Sequence, residues 1–372
     1  MIPLNADLEP LRRSGIRIYT NMARQVPGCV MLTLGEPDFP TPEPIKEAAI
    51  AALRADMTHY APNQGTEELR LAIATYEDVK PEQVLVTVGA TGALYTALTG
   101  ILNPGDELIV PQPAFSLYET IATAAGVKTV RLDTAKTGFQ ITKEALHAAI
   151  TPRTKAIVLN SPNNPTGVVY TAETLAAVKE AVLGKNIYVI CDNVYDRLTY
   201  EPCQDLSRDP ELAEQILLCQ SFSKPWAMTG WRVGYLVAPV EVTARLLLLH
   251  AAEVAAVPTF LQAACVTALQ TDVSPMRDEY RRRRDYVLSR LERMGLACPK
   301  PAGAFYVFAD ISAYGLTSDT FCTRLIREEA VAAVPGSCFG SDTHIRISYC
   351  CAMEALELGL DRLEQFLRKL KA

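Results

Sequence analysis

The sequence predicts an α/β protein: a large domain whose mostly parallel central sheet is flanked by helices, with a smaller α+β domain after it. Three observations lead there. Short apolar runs alternate with helix-period segments over most of the chain, the pattern of strands joined by crossover helices. Most of these runs are apolar throughout, as strands covered on both faces must be. The texture then changes after Val257, and 372 residues are enough for two domains.

The first 40 residues hold one short helical pattern and then LGEPDFPTPEP, whose prolines preclude regular structure, so that this segment must lie against something else. Strands are expected at Val84–Val88, Glu107–Val110, Lys128–Leu132, Lys155–Asn160, Ile187–Cys191, Ile216–Gln220 and Val233–Ala238, with helices near 91–102, 116–125, 172–183 and 241–252. From Val254 to Thr271 no charge occurs. Pro258, Thr259, Gln262, Thr267 and Gln270 interrupt the apolar residues there, which predicts a core or interface helix and not a membrane span. Beyond it a helix carrying the run Arg281–Asp285, read as a solvated face, leads to strands at Ala304–Ala309 and Ile345–Tyr349 and helices at 318–329 and 353–369. The expected division is 1–40 as an N-terminal arm with part of the small domain, 41–265 as the large domain and 266–372 as the small one.

Lys and Arg total 36 against 42 Asp and Glu, a net charge of −6 that disfavours nucleic acid as a partner. The four His, at 59, 147, 250 and 344, are far apart, so no metal site is expected. Ten Cys without a C-x-x-C spacing, and an N-terminus without the apolar stretch of a signal peptide, predict reduced thiols in the cytoplasm.

The strongest chemical signal is Ser221-Phe-Ser-Lys224 with Arg232 eight residues on, between two apolar strands. A lysine buried there beside cations loses proton affinity, and a neutral amine forms a Schiff base with an aldehyde. Ser221, Ser223 and Arg232 supply an anion site next to it. Val88-Gly-Ala-Thr-Gly-Ala-Leu94 runs from strand through glycine turn to helix, where backbone N–H groups bind phosphate. A dinucleotide loop needs G-x-G-x-x-G and an acid about 20 residues later. Here the spacing is G-x-x-G, and Asp106 and Glu107 begin the next strand, which counts against nicotinamide. Asn160-Ser-Pro-Asn-Asn-Pro-Thr-Gly167 and Cys191-Asp-Asn-Val-Tyr195 follow two further strands. Singly, the first reads equally well as a turn and Asp192 as a helix cap; together with Lys224 they point to one site at strand carboxyl ends.

With Ser14-Gly-Ile-Arg17, Gly35-Glu-Pro-Asp-Phe-Pro-Thr-Pro42, Tyr60-Ala-Pro-Asn-Gln-Gly65, Gly303-Ala-Phe-Tyr306, Pro335-Gly-Ser-Cys-Phe-Gly340 and Arg346 added, the chain resembles, over essentially its whole length, the fold type I pyridoxal-phosphate-dependent aminotransferases of class I/II, the aspartate aminotransferase-like family. The resemblance implies that Lys224 holds the cofactor as a Schiff base and shuttles a proton between the substrate Cα and the cofactor C4′. It implies that Asp192 pairs with the pyridine nitrogen, that Tyr195 and Asn164 donate to the phenolic oxygen, and that Phe115 stacks on the ring. Phosphate would be held by the backbone of Ala90 and Thr91, by Ser221, Ser223 and Arg232, and by Tyr60 from the other subunit of a homodimer with shared active sites. Arg346, helped by Asn164 and the Gly35 backbone, would clamp the substrate carboxylate. The implied reaction is ping-pong transfer of an amino group from an L-amino acid to a 2-oxo acid, 2-oxoglutarate by expectation. A C–S β-lyase of the same fold is the alternative, and a non-catalytic pyridoxal-phosphate-binding regulator ranks lower because no DNA-binding module precedes the fold.

Two finer expectations concern substrate choice and one departure. Arg12, Arg13 or Arg17 would supply a cation for a distal carboxylate, since Thr91 stands where one branch of the family has Lys, whereas Ile16, Ile18 and Tyr19 would line an apolar pocket. No strong preference for aspartate is expected. Between Tyr76 and Pro81 the connection is shorter than is usual in the family, which puts the local helix ends in question but touches no site residue.

Overall fold

A computed structural model describes residues 5–371; the expectations for residues 1–4 of the arm and for residue 372 lie outside the described residues. The strands in chain order are β1 Val30–Met31, β2 Val84–Thr87, β3 Glu107–Gln112, β4 Lys128–Asp133, β5 Thr154–Asn160, β6 Tyr188–Asp192, β7 Ile216–Ser221, β8 Gly234–Val237, β9 Tyr306–Asp310, β10 Val331–Ala332, β11 Val334–Pro335 and β12 His344–Ser348. Seven of them form one sheet in the order β2-β8-β7-β6-β5-β3-β4. Only β8 runs against its neighbours, and the other contacts are parallel. The expected mostly parallel sheet is therefore present.

The strand side chains divide by the two-residue period of the pleat. Val84, Val86, Ile157, Leu159, Val189, Ile216 and Leu218 enter one core, and Leu85, Ala156, Val158, Ile190, Leu217 and Leu236 enter the other. Each fully buried aliphatic side chain contributes about 1.5–3 kcal/mol, so burial on both faces fixes the register of these strands. A third core joins the arm residues Tyr19, Ala23, Val30 and Leu32 to the antiparallel sheet β11-β12-β9 and the helices Ser274–Met294, Ser318–Glu329 and Met353–Lys371. β1 pairs in parallel with β10, which ties the arm to this C-terminal part.

The proline segment does pack against other elements. Asp38 receives two bonds from Arg283 (2.8 and 2.9 Å), Phe39 meets the Tyr280 ring edge-on at 5.5 Å, and Thr41 donates to Ala227 O at 2.7 Å. This corrects the reading of Arg281–Asp285 as a solvated face. Arg282 is exposed, but Arg283 and Arg284 are buried, the first on Asp38 and Glu279 and the second on Pro301 O. Between Tyr76 and Pro81 the helix Glu67–Glu77 ends with Asp78 in the left-handed region (φ 58°), and the single turn Pro81–Gln83 leads into β2.

Candidate active site

β5, β6 and β7 are parallel neighbours, with Asn160 opposite Asp192 and Asp192 opposite Cys219, so their carboxyl ends open on one side of the sheet. β2 is antiparallel to β8, which is antiparallel to β7; hence β2 also ends on that side and feeds the helix Gly89–Ile101. Asn160 joins two of the strand ends, donating to Asp192 O (2.9 Å) and accepting from the N–H of Asn164 (2.8 Å). Gly89 is required where it stands: it has φ 65°, and a Cβ there would lie 2.8 Å from the Arg232 guanidinium.

A cleft of about 400 Å³ lies over these ends. Its walls include Gly35, Ala90, Thr91, Phe115, Asn164, Asp192, Tyr195, Ser221, Ser223, Lys224, Arg232 and Arg346, every expected site residue but one. The exception is Tyr60, 94% exposed and outside the cleft of its own chain.

Lys224 Nζ donates to Gly35 O at 2.6 Å, and enclosure by the cleft pushes its ammonium down to about 8. The cations Arg232 and Arg346 add to that fall but are minor beside burial, whereas Cys350 and Glu36 oppose it. The loop after Lys224 is held tightly: Ser223 N–H donates to Ser221 Oγ (3.0 Å), Met228 N–H to Ser223 O (3.1 Å), and Arg232 keeps a left-handed φ of 55°. Such a conformation at a non-glycine residue costs on the order of 1–3 kcal/mol and persists where surrounding bonds impose it.

Asp192 is buried, and burial raises its carboxyl to about 6, opposed by the bond from the Tyr118 hydroxyl, by the nearby backbone of Val194 and by Lys224. Tyr118 donates to Oδ2 at 2.5 Å, while Oδ1 is buried without a partner among the described residues. Arg346, also buried, donates to Asn164 Oδ1 (2.8 Å) and Thr33 O (2.6 Å) and leaves its Nε unpartnered among the described residues. A buried acceptor and a buried donor without partners in one cleft fit a ligand with a protonated ring nitrogen at one place and a carboxylate at another. The anion cradle of Ser221, Ser223, Arg232 and a helix N-terminus fits its phosphate.

The expected substrate lining is corrected in part. Arg17 and Ile16 line the cleft, but Arg12 is turned onto Glu9 O and Leu11 O, Ile18 is 45% exposed, and Tyr19 is buried and donates to Asp319 at 2.7 Å. For Ile18 and Tyr19 the cause is the phase of the helix Gly15–Arg24, which turns Tyr19, Thr20 and Ala23 into the core. Leu34 and Leu117 supply apolar wall instead. Sequence reasoning missed Tyr118 and Tyr306. Tyr306 stands inside a quoted motif and Tyr118 three residues after Phe115, but their partners come from other elements and leave no mark at sequence spacing.

Fold and cleft define a pyridoxal-phosphate enzyme of fold type I, built around a lysine at a strand exit. Residues 27–363 match the family described as aminotransferase class I and II. The chain is 38% identical to a probable N-acetyl-LL-diaminopimelate aminotransferase of Bacillus subtilis over 98% of its length and 96% of that protein's. It is 37% identical to aromatic-amino-acid aminotransferase 2 of Thermococcus litoralis, over 99% of each. The solved aspartate aminotransferase of Thermus thermophilus with maleate superposes with a TM-score of 0.93 at 37% identity, covering 98% of this chain and 100% of that one. The chain belongs to the aminotransferase class I and II family and is a pyridoxal-phosphate-dependent aminotransferase.

Proposed function

We propose that the protein is a broad-specificity aminotransferase that moves the amino group of an L-amino acid to 2-oxoglutarate at this cleft. The observation that carries the reading is the placement of Lys224 in one cavity with an anion cradle, a buried carboxylate and a buried arginine. Pyridoxal phosphate, when bound, supplies the electron sink for the pair left on the substrate Cα. Lys224 anchors it and then carries the proton between Cα and C4′, a task suited to an amine that titrates near 8. Asp192 holds the proton on the ring nitrogen through its free Oδ1. Tyr195 and Asn164 donate to the phenolic oxygen, Phe115 covers the ring, and the Ala90 and Thr91 N–H groups with Ser221, Ser223 and Arg232 bind the phosphate. Arg346 clamps the α-carboxylate, with Asn164 and the Gly35 backbone beside it.

Beyond the residues assigned above, the cleft walls combine Ile16, Leu34 and Leu117 with the cation Arg17 and the acid Glu36, and Thr91 adds no charge. That mixture supports neutral and acidic donors alike. Half-reactions with a panel of amino acids, followed by loss of the absorbance of the lysine-bound cofactor, should give an aspartate kcat/KM within about 1000-fold of the best neutral substrate, or roughly 4 kcal/mol. A larger preference for aspartate refutes broad specificity. Release of pyruvate and a thiol from cystathionine faster than any transamination makes the protein a lyase.

The same reading includes a cytoplasmic homodimer and the division into an arm (1–40), a cofactor domain (41–265) and a small domain (266–372). In support of the dimer, the contacting helices Gly89–Ile101 and Val240–Val254 turn Tyr95 (41% exposed) and Leu248 (65%) outward. The segment bearing Tyr60 is tied beside them by Asn63 to Ala255 O (2.8 Å) and Thr259 to His59 O (2.6 Å). Tyr60 then reaches the partner's phosphate site. Sedimentation at micromolar concentration should give a dimer, and Tyr60→Phe should weaken pyridoxal phosphate binding by about tenfold, the worth of one charge-assisted hydrogen bond. A monomer that turns over contradicts this.

A further inference from the structure

We infer that Tyr306 is a positioning residue that links the substrate-carboxylate arginine to the cofactor-facing phenol, its ring holding Arg346 and its hydroxyl holding Tyr195. The inference rests on the roles proposed above for those two residues. Tyr306 opens β9, where Phe308 lies opposite Arg346 of β12. Residues two apart on a strand share a face, so Tyr306 is the diagonal neighbour of Arg346, and its ring centre stands 4.5 Å from the guanidinium carbon. Phe339 supplies a second ring at 4.9 Å. With Nη1 and Nη2 bonded to Asn164 and Thr33, this aromatic seat restrains the fork with Nε left free.

The hydroxyl of Tyr306 meets that of Tyr195 at 2.9 Å, and the two rings cross edge to face with centroids 5.8 Å apart. Burial keeps both phenols protonated across the working range. Either hydroxyl can donate in this pair; when Tyr195 donates into the cleft, Tyr306 is the donor to it, and a phenol that accepts one hydrogen bond becomes a better donor in the next. The backbone leaves room for this arrangement at one point. A Cβ on residue 35 would lie 2.3 Å from the Tyr306 hydroxyl, so only glycine fits, and the carbonyl of that same Gly35 accepts from Lys224. Tyr195 and Arg346 thus meet on one buried tyrosine that is 1% exposed, and Gly35, packed against its hydroxyl, carries the carbonyl that holds Lys224.

The test separates hydroxyl from ring. Tyr306→Phe keeps the volume and the stacking on Arg346 and removes only the oxygen. In the loaded, resting enzyme the pH midpoint of the lysine-bound cofactor's absorbance should rise by about 0.5–1 unit, the effect of losing one hydrogen bond in a chain. kcat should fall about 5- to 10-fold, with KM for the amino acid unchanged within about twofold. Tyr306→Leu, which loses the ring as well, should in addition raise KM about tenfold. Tyr195→Phe is measured in parallel. A shifted midpoint in Tyr195→Phe with none in Tyr306→Phe overturns the inference and leaves the assignment of Tyr195 standing. No shift in either variant overturns both. Equal KM values in Tyr306→Phe and Tyr306→Leu overturn the role of the ring.

Discussion

Lys224→Ala is expected to abolish the borohydride-reducible bond between protein and pyridoxal phosphate and to lower turnover by about 10⁵-fold or more, roughly 7 kcal/mol of barrier. The size follows from two tasks resting on one atom. In the proposed mechanism Nζ anchors the cofactor and is also the amine that carries the Cα proton, so alanine removes the attachment and the base together. The pH dependence is fixed by the same group. Because burial brings the ammonium down to about 8, the neutral amine grows about tenfold per pH unit below that value and levels off above it. The rate at which ligand-free protein captures pyridoxal phosphate should follow that curve, with the protonated form inert at low pH. Peptide mapping after reduction gives the decisive result: a reduced adduct on another lysine in the variant would sink the assignment.

The parts of the fold that were legible are those whose signal is local. β5, β6 and β7 are apolar on both faces, and each ends in a polar residue of the cleft, Asn160, Asp192 and Ser221, so strand and site appear in one stretch of sequence. What was hidden depends on distant partners. The two-residue strands β1 and β10 are too short to show a period, and they exist because Val30 and Val331 pair across the chain. The helix Glu43–Arg54 begins inside the proline segment, with Pro44 in its first turn where a missing N–H costs nothing. Arg283 looked like one member of a charged face until Asp38, 245 residues away, took its charge. The phase of the helix Gly15–Arg24, which decides that Ile16 and Arg17 and not Tyr19 line the cleft, is set by packing against the C-terminal core.

Asp192→Asn should leave pyridoxal phosphate bound and cut kcat on the order of 1000-fold or more, about 4 kcal/mol. The amide has the shape of the carboxylate, its oxygen still accepts from Tyr118, and Ser221, Ser223 and Arg232 are untouched, so the phosphate end of the site keeps its grip. What disappears is the negative charge on Oδ1, which in the proposed mechanism would keep a proton on the ring nitrogen of the bound cofactor. The pH profile checks this independently of the rate. In the ligand-free protein the carboxyl titrates near 6 because burial penalises its ionised form, and a cation held opposite it favours that form and moves the midpoint lower. Wild-type kcat should therefore decline on the acid side as pH falls through about 6 and below, where Asp192 takes up a proton and loses its hold on the ring nitrogen. The asparagine variant has no group to titrate there, and its low kcat should be flat over the same range. A variant with near-normal kcat, or one that keeps the wild-type acid limb, would show that another group supplies the charge.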